Sequence, residues 1–260
     1  MTPAERESAV AFALRNCRLD GIDPSGKAME AAAGYTSGAI AASRLPTLLA
    51  PGAQKPSGEA GGDRERGASS ESGKDRYADA VFAGTILTCE RGWRPSGDLG
   101  ELQAIHASVF AFTGAGAGRI RSDQEEGPDA QGDDAFFPAA LLQQGAAAIG
   151  SGLAEEGNLA NLDFPAFIDR LTYYYDELGY LHPFPSGNAM TLRMFASRLS
   201  HDAGWDLDWA LVDRAGYEKA TRAAYLGDTG LLKRMLWGIA RPANPTRIFL
   251  VAGWEQGPAH

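Results

Sequence analysis

The chain of 260 residues contains only two cysteines, Cys17 and Cys89, which lie far apart. That spacing does not match a metal site, and a disulfide framework is not expected. The chain also lacks any run of about eighteen apolar residues, so no membrane span is predicted. Residues 1–10 lack the apolar stretch of a secretory signal. We therefore expect a cytoplasmic protein, with delivery into a target cell as the alternative.

Positive charge is scarce as well. The chain has 24 lysines and arginines against 33 aspartates and glutamates, which gives a net charge of −9. General nucleic-acid binding normally requires a basic excess, so that class of partner is excluded by charge. Hydrophobic residues make up 44% of the chain, which is enough for a buried core.

One segment, residues 51–74, lacks every aliphatic residue larger than alanine and every aromatic residue. It cannot offset its ordering entropy by burial, so we predict a flexible linker. The expected organisation is a small helical unit over 1–50, the linker, a main domain over 75–240 and a C-terminal tail over 241–260. The first unit is too short to be stable alone, so we expect it to pack against the main domain.

Apolar residues recur at helical spacing along most of the remaining chain, which predicts an all-α fold. One helix should end at Asp20-Gly21 and a second should open at Asp23-Pro24. A long amphipathic helix should end at Gly179. Further helices are predicted over 189–200 and 215–238, and a loop or short hairpin over 114–136.

The stretch LHPFPSGNAMTLR, residues 181–193, carries the most chemistry. The Gly187-Asn188 turn leads into a predicted helix, whose free N–H groups and dipole form a cradle for an anion such as phosphate. His182 lies just upstream, where it could take a proton from an attacking hydroxyl. Arg193 could turn its guanidinium towards the same anion. The alternative is structural, because histidines before prolines and Gly-Asn turns at helix starts are common.

Residues 182–193 also resemble the HPFx(D/E)GNGRxxR motif of the Fic (Fido-fold) family. The resemblance extends to AGTIL at 83–87, to LQAIHASVF at 102–110 and to GAGRIR at 116–121, which is similar to the family's WAGxxR. It covers about residues 75–238 in the family's order. The fold that it implies is a Fido fold with a short β-hairpin flap, here within 119–137.

The first fifty residues resemble the small helical antitoxin that partners some Fic toxins. The inhibitory pattern (S/T)xxxE(G/N) appears in degenerate form, with Asn16, Asp20 and Gly21 at its positions. The resemblance therefore implies an antitoxin-like unit that acts within the same chain. In the family, the inhibitory glutamate pairs with the first motif arginine, a position that holds Met190 here.

The resemblance implies transfer of AMP from ATP to a Tyr, Thr or Ser hydroxyl of a target protein. It makes His182 the base and Asn188 the second catalytic residue, which holds the α-phosphate together with the Gly187 backbone. Arg193 would be the remaining cationic clamp. Together with two altered positions, the candidate nucleotide-binding residues are Ser186, Gly187, Asn188, Ala189 and Arg193.

Three positions depart from the motif. Ser186 replaces the metal-binding acid, Ala189 the second glycine and Met190 the γ-phosphate arginine. Losing one charge-assisted contact of this kind costs about 2–4 kcal/mol of transition-state stabilisation. A serine hydroxyl is also a poor ligand for Mg²⁺, so no metal site is assigned and Mg²⁺ is not expected to be held firmly.

The motif and its departures leave two hypotheses. In the first, the chain is a transferase that uses ATP in an altered pose, or another nucleotide or phosphate-containing donor, to modify a target protein. In the second, it is a catalytically degenerate Fic module that acts as a binding or regulatory protein. The presence of His182, for which we find no structural need in the sequence, favours the first.

Overall fold

The computed structural model describes residues 1–50, 71–114, 116–122 and 136–243. Within these ranges the chain is mostly helical, with one small two-stranded sheet, and the predicted all-α class is confirmed. The elements are α1 Pro3–Leu19, α2 Gly26–Ser37, α3 Leu45–Leu49, α4 Glu71–Arg91, α5 Leu99–Val109, α6 Leu142–Glu155, α7 Phe164–Leu181, α8 Asn188–Asp202, β1 Trp205–Leu207, α9 Arg214–Tyr225, α10 Gly230–Ile239 and β2 Ala240–Pro242.

The chain divides into two compact units, and the predicted domain bounds stay a prediction. As far as the residues are described, one unit holds Met1–Arg94 and His106–Gly118. The other holds Pro95–Ile105 and Arg119 onward. Helix α4, which the sequence placed in the main domain, thus belongs to the same unit as α1, α2 and α3.

In the first unit, α1, α2 and α3 pack against α4. Helix α1 begins with a capping box, in which Thr2 and Glu5 hydrogen-bond each other's backbone. Asp79 on α4 accepts hydrogen bonds from the backbone N–H of Ser25 at 2.8 Å and from its hydroxyl at 2.7 Å. The Tyr35 hydroxyl donates to Glu90 at 2.7 Å. Polar contacts thus fix α2 on α4 at two points beside the apolar packing.

Gly84 explains one feature of the AGTIL segment. A Cβ atom added at this position would lie 2.1 Å from the carbonyl oxygen of Val109. Real Cβ atoms do not approach an oxygen that closely, so only glycine lets α4 pass the end of α5 at this distance.

The second unit is built around α7 and α8. Helix α8 is buried along most of its length, and α7 packs against α6, α8, α9 and α10. Strands β1 and β2 are antiparallel, with Asp206 opposite Arg241. Arg198 on α8 forms a buried ion pair with Glu101 at 2.5 Å. The HPF motif lies between the end of α7 and the start of α8, the two most central helices of the unit.

Several predicted helix ends are wrong. Helix α2 starts at Gly26 instead of Asp23-Pro24, because Ser25 is its N-cap and accepts from the N–H of Ala28 at 3.2 Å. Helix α7 continues two residues beyond Gly179. The single helix predicted over 215–238 is two helices, interrupted near Gly227, whose φ is 93°. The predicted end of α1 at Asp20-Gly21 is confirmed.

Other predictions fall on residues outside the described ranges. Of the predicted linker 51–74, only residues 71–74 are described, and they already form the start of α4. Of the predicted flap region 119–137, residues 123–135 lie outside the description. In the predicted tail, residues 241–242 belong to β2. No helix in the described part of the chain combines the length and apolar character needed to cross a membrane.

Candidate functional site

The loop between α7 and α8 is held together by Asn188. Its side-chain oxygen accepts from the N–H of Phe184 at 2.9 Å, and its amide nitrogen donates to the carbonyl of Phe184 at 2.7 Å. Phe184 itself is buried. Both ends of the Asn188 amide are therefore used to close the loop between α7 and α8.

His182 ends α7 in an unusual way. Its backbone is left-handed, with φ 44° and ψ 61°, and its N–H donates to the carbonyl of Leu178 at 3.4 Å. Glycine or asparagine normally occupies such a position, because a larger side chain strains the backbone. Strained residues of this kind cluster at functional sites, where the surrounding structure holds them in place.

The imidazole of His182 is held in its neutral form. The ring is mostly buried and hydrogen-bonds the backbone of Gly179, while Nε2 has no hydrogen-bond partner among the described residues. The ring atom that bonds Gly179 is therefore Nδ1–H, which leaves the lone pair on Nε2. Burial and the nearby positive charge of Arg121 lower the pKa of His182 to about 4 against the opposing effect of Gly179. A neutral imidazole with a free Nε2 can accept a proton.

Phe136 covers one face of this imidazole. The two ring centroids lie 3.8 Å apart and the planes differ by 13°, so the rings are stacked. Phe136 also meets Tyr225 edge-on at 5.8 Å. The stack helps to exclude water from His182, which is the physical source of the lowered pKa.

The N-terminus of α8 forms the open part of the site. Gly187 adopts φ 73°, and within the described part of the chain no side chain caps this helix end. Ser186, Gly187 and Ala189 are partly exposed, whereas Met190 is fully buried. The end of α8 thus presents backbone N–H groups and the positive end of the helix dipole, which suit an anion. It offers no cationic side chain at position 190.

Arg193 is not placed on this open face. Its side chain is fully buried, and its guanidinium lies over the ring of Tyr217 at 4.7 Å. The Tyr217 hydroxyl is in turn 2.7 Å from that of Tyr175. The structure therefore brings His182, Gly187, Asn188 and Ser186 together in one loop, and packs Arg193 into the interior one turn further along α8.

The three remnants of the inhibitory pattern lie in the other compact unit. Asn16 is buried within α1, Asp20 is the C-cap of that helix, and Gly21 follows with φ 69°. The backbone N–H of Asp20 donates to the carbonyl of Cys17, and that of Gly21 to the carbonyl of Arg18, both at 3.0 Å. In this structure Asp20 and Gly21 end α1, and Asn16 lies in its last turn. Their inhibitory role stays a prediction.

Sequence reasoning missed two residues of the site, Phe136 and Arg121. Arg121 is the last residue of the GAGRIR segment, whose similarity to WAGxxR was the available signal, although no role was attached to it. Phe136 had no comparable signal, because only the fold brings it onto His182.

Comparisons with known proteins identify the family of the chain. The sequence profile described as the Fic/DOC family matches residues 97–200. The probable protein adenylyltransferase Fic of Escherichia coli K12 is 31% identical over 174 residues, which are 66% of this chain and 84% of that protein. The chain belongs to the Fic/DOC family. The protein adenylyltransferase VbhT of Bartonella schoenbuchensis is 33% identical to this Fic protein over 140 residues, 54% of the chain and 28% of the relative.

Solved structures share the fold. The BepC protein of Bartonella tribocorum, solved with bound AMPPNP, superposes with a TM-score of 0.59 at 21% identity, over 65% of this chain and 87% of that one. Fic-1 from C. elegans (residues 134–508) superposes with a TM-score of 0.56 at 20% identity, over 91% of this chain and 60% of that one. The expected Fic fold is therefore confirmed, and the relatives place the chain in a family of transferases.

Proposed function

We propose that this Fic protein transfers a nucleotidyl or other phosphate-containing group to a hydroxyl side chain of a target protein, with His182 as the base. The observation that carries the proposal is the Nε2 atom of His182. It belongs to a neutral, mostly buried imidazole and has no hydrogen-bond partner in the described structure. Buried polar atoms without a partner are rare, and a catalytic role accounts for this one.

In the proposed reaction, the loop binds the donor before His182 takes the proton of the target hydroxyl. The donor phosphate binds at the N-terminus of α8, where the backbone N–H groups from Gly187 onward neutralise part of its charge. The proton of the target hydroxyl passes to Nε2 of His182 as the oxygen attacks the phosphorus. The bond from phosphorus to the leaving group breaks, and its electron pair departs with that group. For ATP as donor, the leaving group is pyrophosphate and the product is an AMP-modified hydroxyl.

The donor end of the site differs from the pattern that the family resemblance implies. Ser186 supplies a neutral hydroxyl where a carboxylate is expected, and this donor set does not fit a hard divalent cation. No step is therefore assigned to Mg²⁺. Met190 is buried and carries no charge, so nothing at that position grips a terminal phosphate. We infer that ATP, if it is the donor, is held mainly through its α-phosphate, and that another phosphate-containing donor would fit the same cradle.

A second candidate function is binding or regulation without catalysis. Two observations favour it: Phe136 covers the His182 ring, and Arg193 is packed in the interior instead of at the open loop. In that case the domain would bind a nucleotide or a protein partner without transferring a group.

The deciding experiment incubates the full chain with a panel of nucleotides labelled at the α-phosphate, together with a cell extract as the source of targets. Catalysis predicts labelled protein that falls by at least about a hundred-fold in His182→Ala. His201→Ala is the matched control, because His201 pairs with Asp206 at 2.7 Å, outside the HPF loop. Nucleotide binding without any transfer would support the second function and refute the first.

A further inference from the structure

Arg121 makes an unusual set of contacts around the HPF loop. Its side chain is buried, with 9% of its surface exposed. The Nε–H donates to the carbonyl of His182 at 2.6 Å, and Nη2 donates to the carbonyls of Leu181, at 3.4 Å, and of Phe137. The backbone N–H of Arg121 donates to the carbonyl of Pro183 at 2.9 Å. One residue thus bonds three consecutive carbonyls, from the last residue of α7 to the second residue of the motif.

These bonds lie where the backbone most needs them. The last carbonyls of an α-helix have no partner within the helix, and the negative end of the helix dipole favours a cation nearby. Leu181 is the last residue of α7, and His182 follows in the strained left-handed conformation. A guanidinium satisfies several carbonyls at once from a fixed plane, which the single ammonium of a lysine does not do.

We propose that Arg121 is a positioning residue, which holds the backbone of His182 in its left-handed conformation and thereby presents Nε2 as the base. The inference rests on the proposed role of His182 and assigns part of that role to a residue outside the HPF motif. Arg121 does not touch the reacting atoms. It acts through the carbonyl of His182 and the two neighbouring carbonyls.

Charge adds a second effect to this geometry. The guanidinium of Arg121 is the charged group that acts on the imidazole, and it disfavours a second positive charge there. Two further groups against the ring among the described residues, Phe136 and the Gly179 backbone, are uncharged. Arg121 therefore both orients the base and helps to keep it neutral.

The two effects separate in two variants. Arg121→Gln removes the positive charge and most of the side-chain hydrogen bonds to the backbone carbonyls. Arg121→Lys keeps the charge but loses the planar guanidinium that makes these bonds together. The measurement is a titration of the histidine signals by NMR in the full chain, which has only four histidines, with His182→Asn used for assignment. The nitrogen shifts also report which tautomer the ring adopts. Leu236→Ala serves as a control, because it opens a cavity at a fully buried site of the same unit and destabilises the fold without removing a bond to the loop.

The glutamine variant should raise the pKa of His182 above about 4, while burial, the larger cause, still keeps it below 6.5. The lysine variant should leave the pKa of His182 low, but its imidazole should then populate both tautomers. Transfer to target protein should fall by about a hundred-fold in the glutamine variant and by at least about ten-fold in the lysine variant, as expected for a misplaced catalytic group. Leu236→Ala should change neither the pKa nor the tautomer.

An unchanged titration and tautomer in both Arg121 variants would overturn the proposal. So would an equal change in Leu236→Ala, since general loosening would then explain the effect. If the glutamine variant does not fold, the lysine variant decides by its tautomer. A wild-type chain without transfer activity would refute the proposed function only, because the NMR measurement tests the positioning by itself.

Discussion

Protonation of His182 should destabilise this fold in acid. The residue is 7% exposed and its pKa is lowered to about 4, against 6.5 for an ordinary histidine. A folded-state pKa below the unfolded one means that the unfolded chain takes up the proton more readily. The stabilising contribution is therefore fully present above pH 6.5 and is lost as the pH falls towards 4. A pKa difference of this size corresponds to roughly 3 kcal/mol of unfolding free energy.

The assay compares denaturant unfolding of the wild type with that of His182→Gln at several values between pH 4 and pH 7.5. The unfolding free energy of the wild type, taken relative to the variant, should fall by roughly 3 kcal/mol over this range. The comparison is needed because Asp176 acts in the opposite sense. Burial and Glu177 raise the pKa of Asp176 to about 6, and this effect is common to both proteins.

Parallel stability curves for the two proteins would refute the reasoning. They would show that the folded chain protonates His182 as easily as the unfolded chain does. The imidazole would then be open to water, and neither the Phe136 stack nor the charge of Arg121 would have the effect assigned to it.

Three further outcomes are expected. Deleting residues 1–50 should lower stability and increase the binding of an apolar dye. AMP transfer should not rise greatly, because Met190 offers no ion-pair partner for Asp20, and a strong gain in transfer would contradict this. Glu101→Ala should cost about 3 kcal/mol in chemical unfolding, the lower end for a broken buried ion pair, because Arg198 then keeps only the partly exposed Asp202 as its carboxylate partner. Gly84→Ala should cost about 1–3 kcal/mol in chemical unfolding, because the added Cβ meets the Val109 carbonyl. For either variant, an unfolding midpoint equal to that of the wild type would refute the contact named for it.

The fold class could be predicted from the sequence because helical periodicity is a local property. The apolar residues of α7 recur at helical spacing, and the buried positions follow that spacing closely: Tyr174 and Tyr175 are buried while Tyr173 is 45% exposed. The positions of the helix ends were harder to predict from the sequence. The end of α7 depends on His182 adopting a left-handed backbone, and the bonds that hold it there come from Arg121, about sixty residues earlier in the chain.

The candidate site could be predicted in part for the same reason. The identities of His182, Gly187 and Asn188 are local and follow from the motif. Their surroundings are not local. The engagement of Asn188 with Phe184 needs the closed loop, and the stack of Phe136 on His182 needs the packing of distant segments. The interior position of Arg193 over Tyr217 likewise depends on α9 lying against α7.

The contrast between the two halves of the site bears on what this chain does. The base half combines a strained backbone at His182 with a desolvated imidazole, and both cost stability, although the bonds of Arg121 stabilise the end of α7 beside them. The donor half has lost its charged groups at positions 186 and 190. A protein that only bound a partner would gain stability by relaxing His182, for example to a glycine at this left-handed position. The costly arrangement around Nε2 is therefore the stronger argument for a transferase with an altered donor than for a silent module.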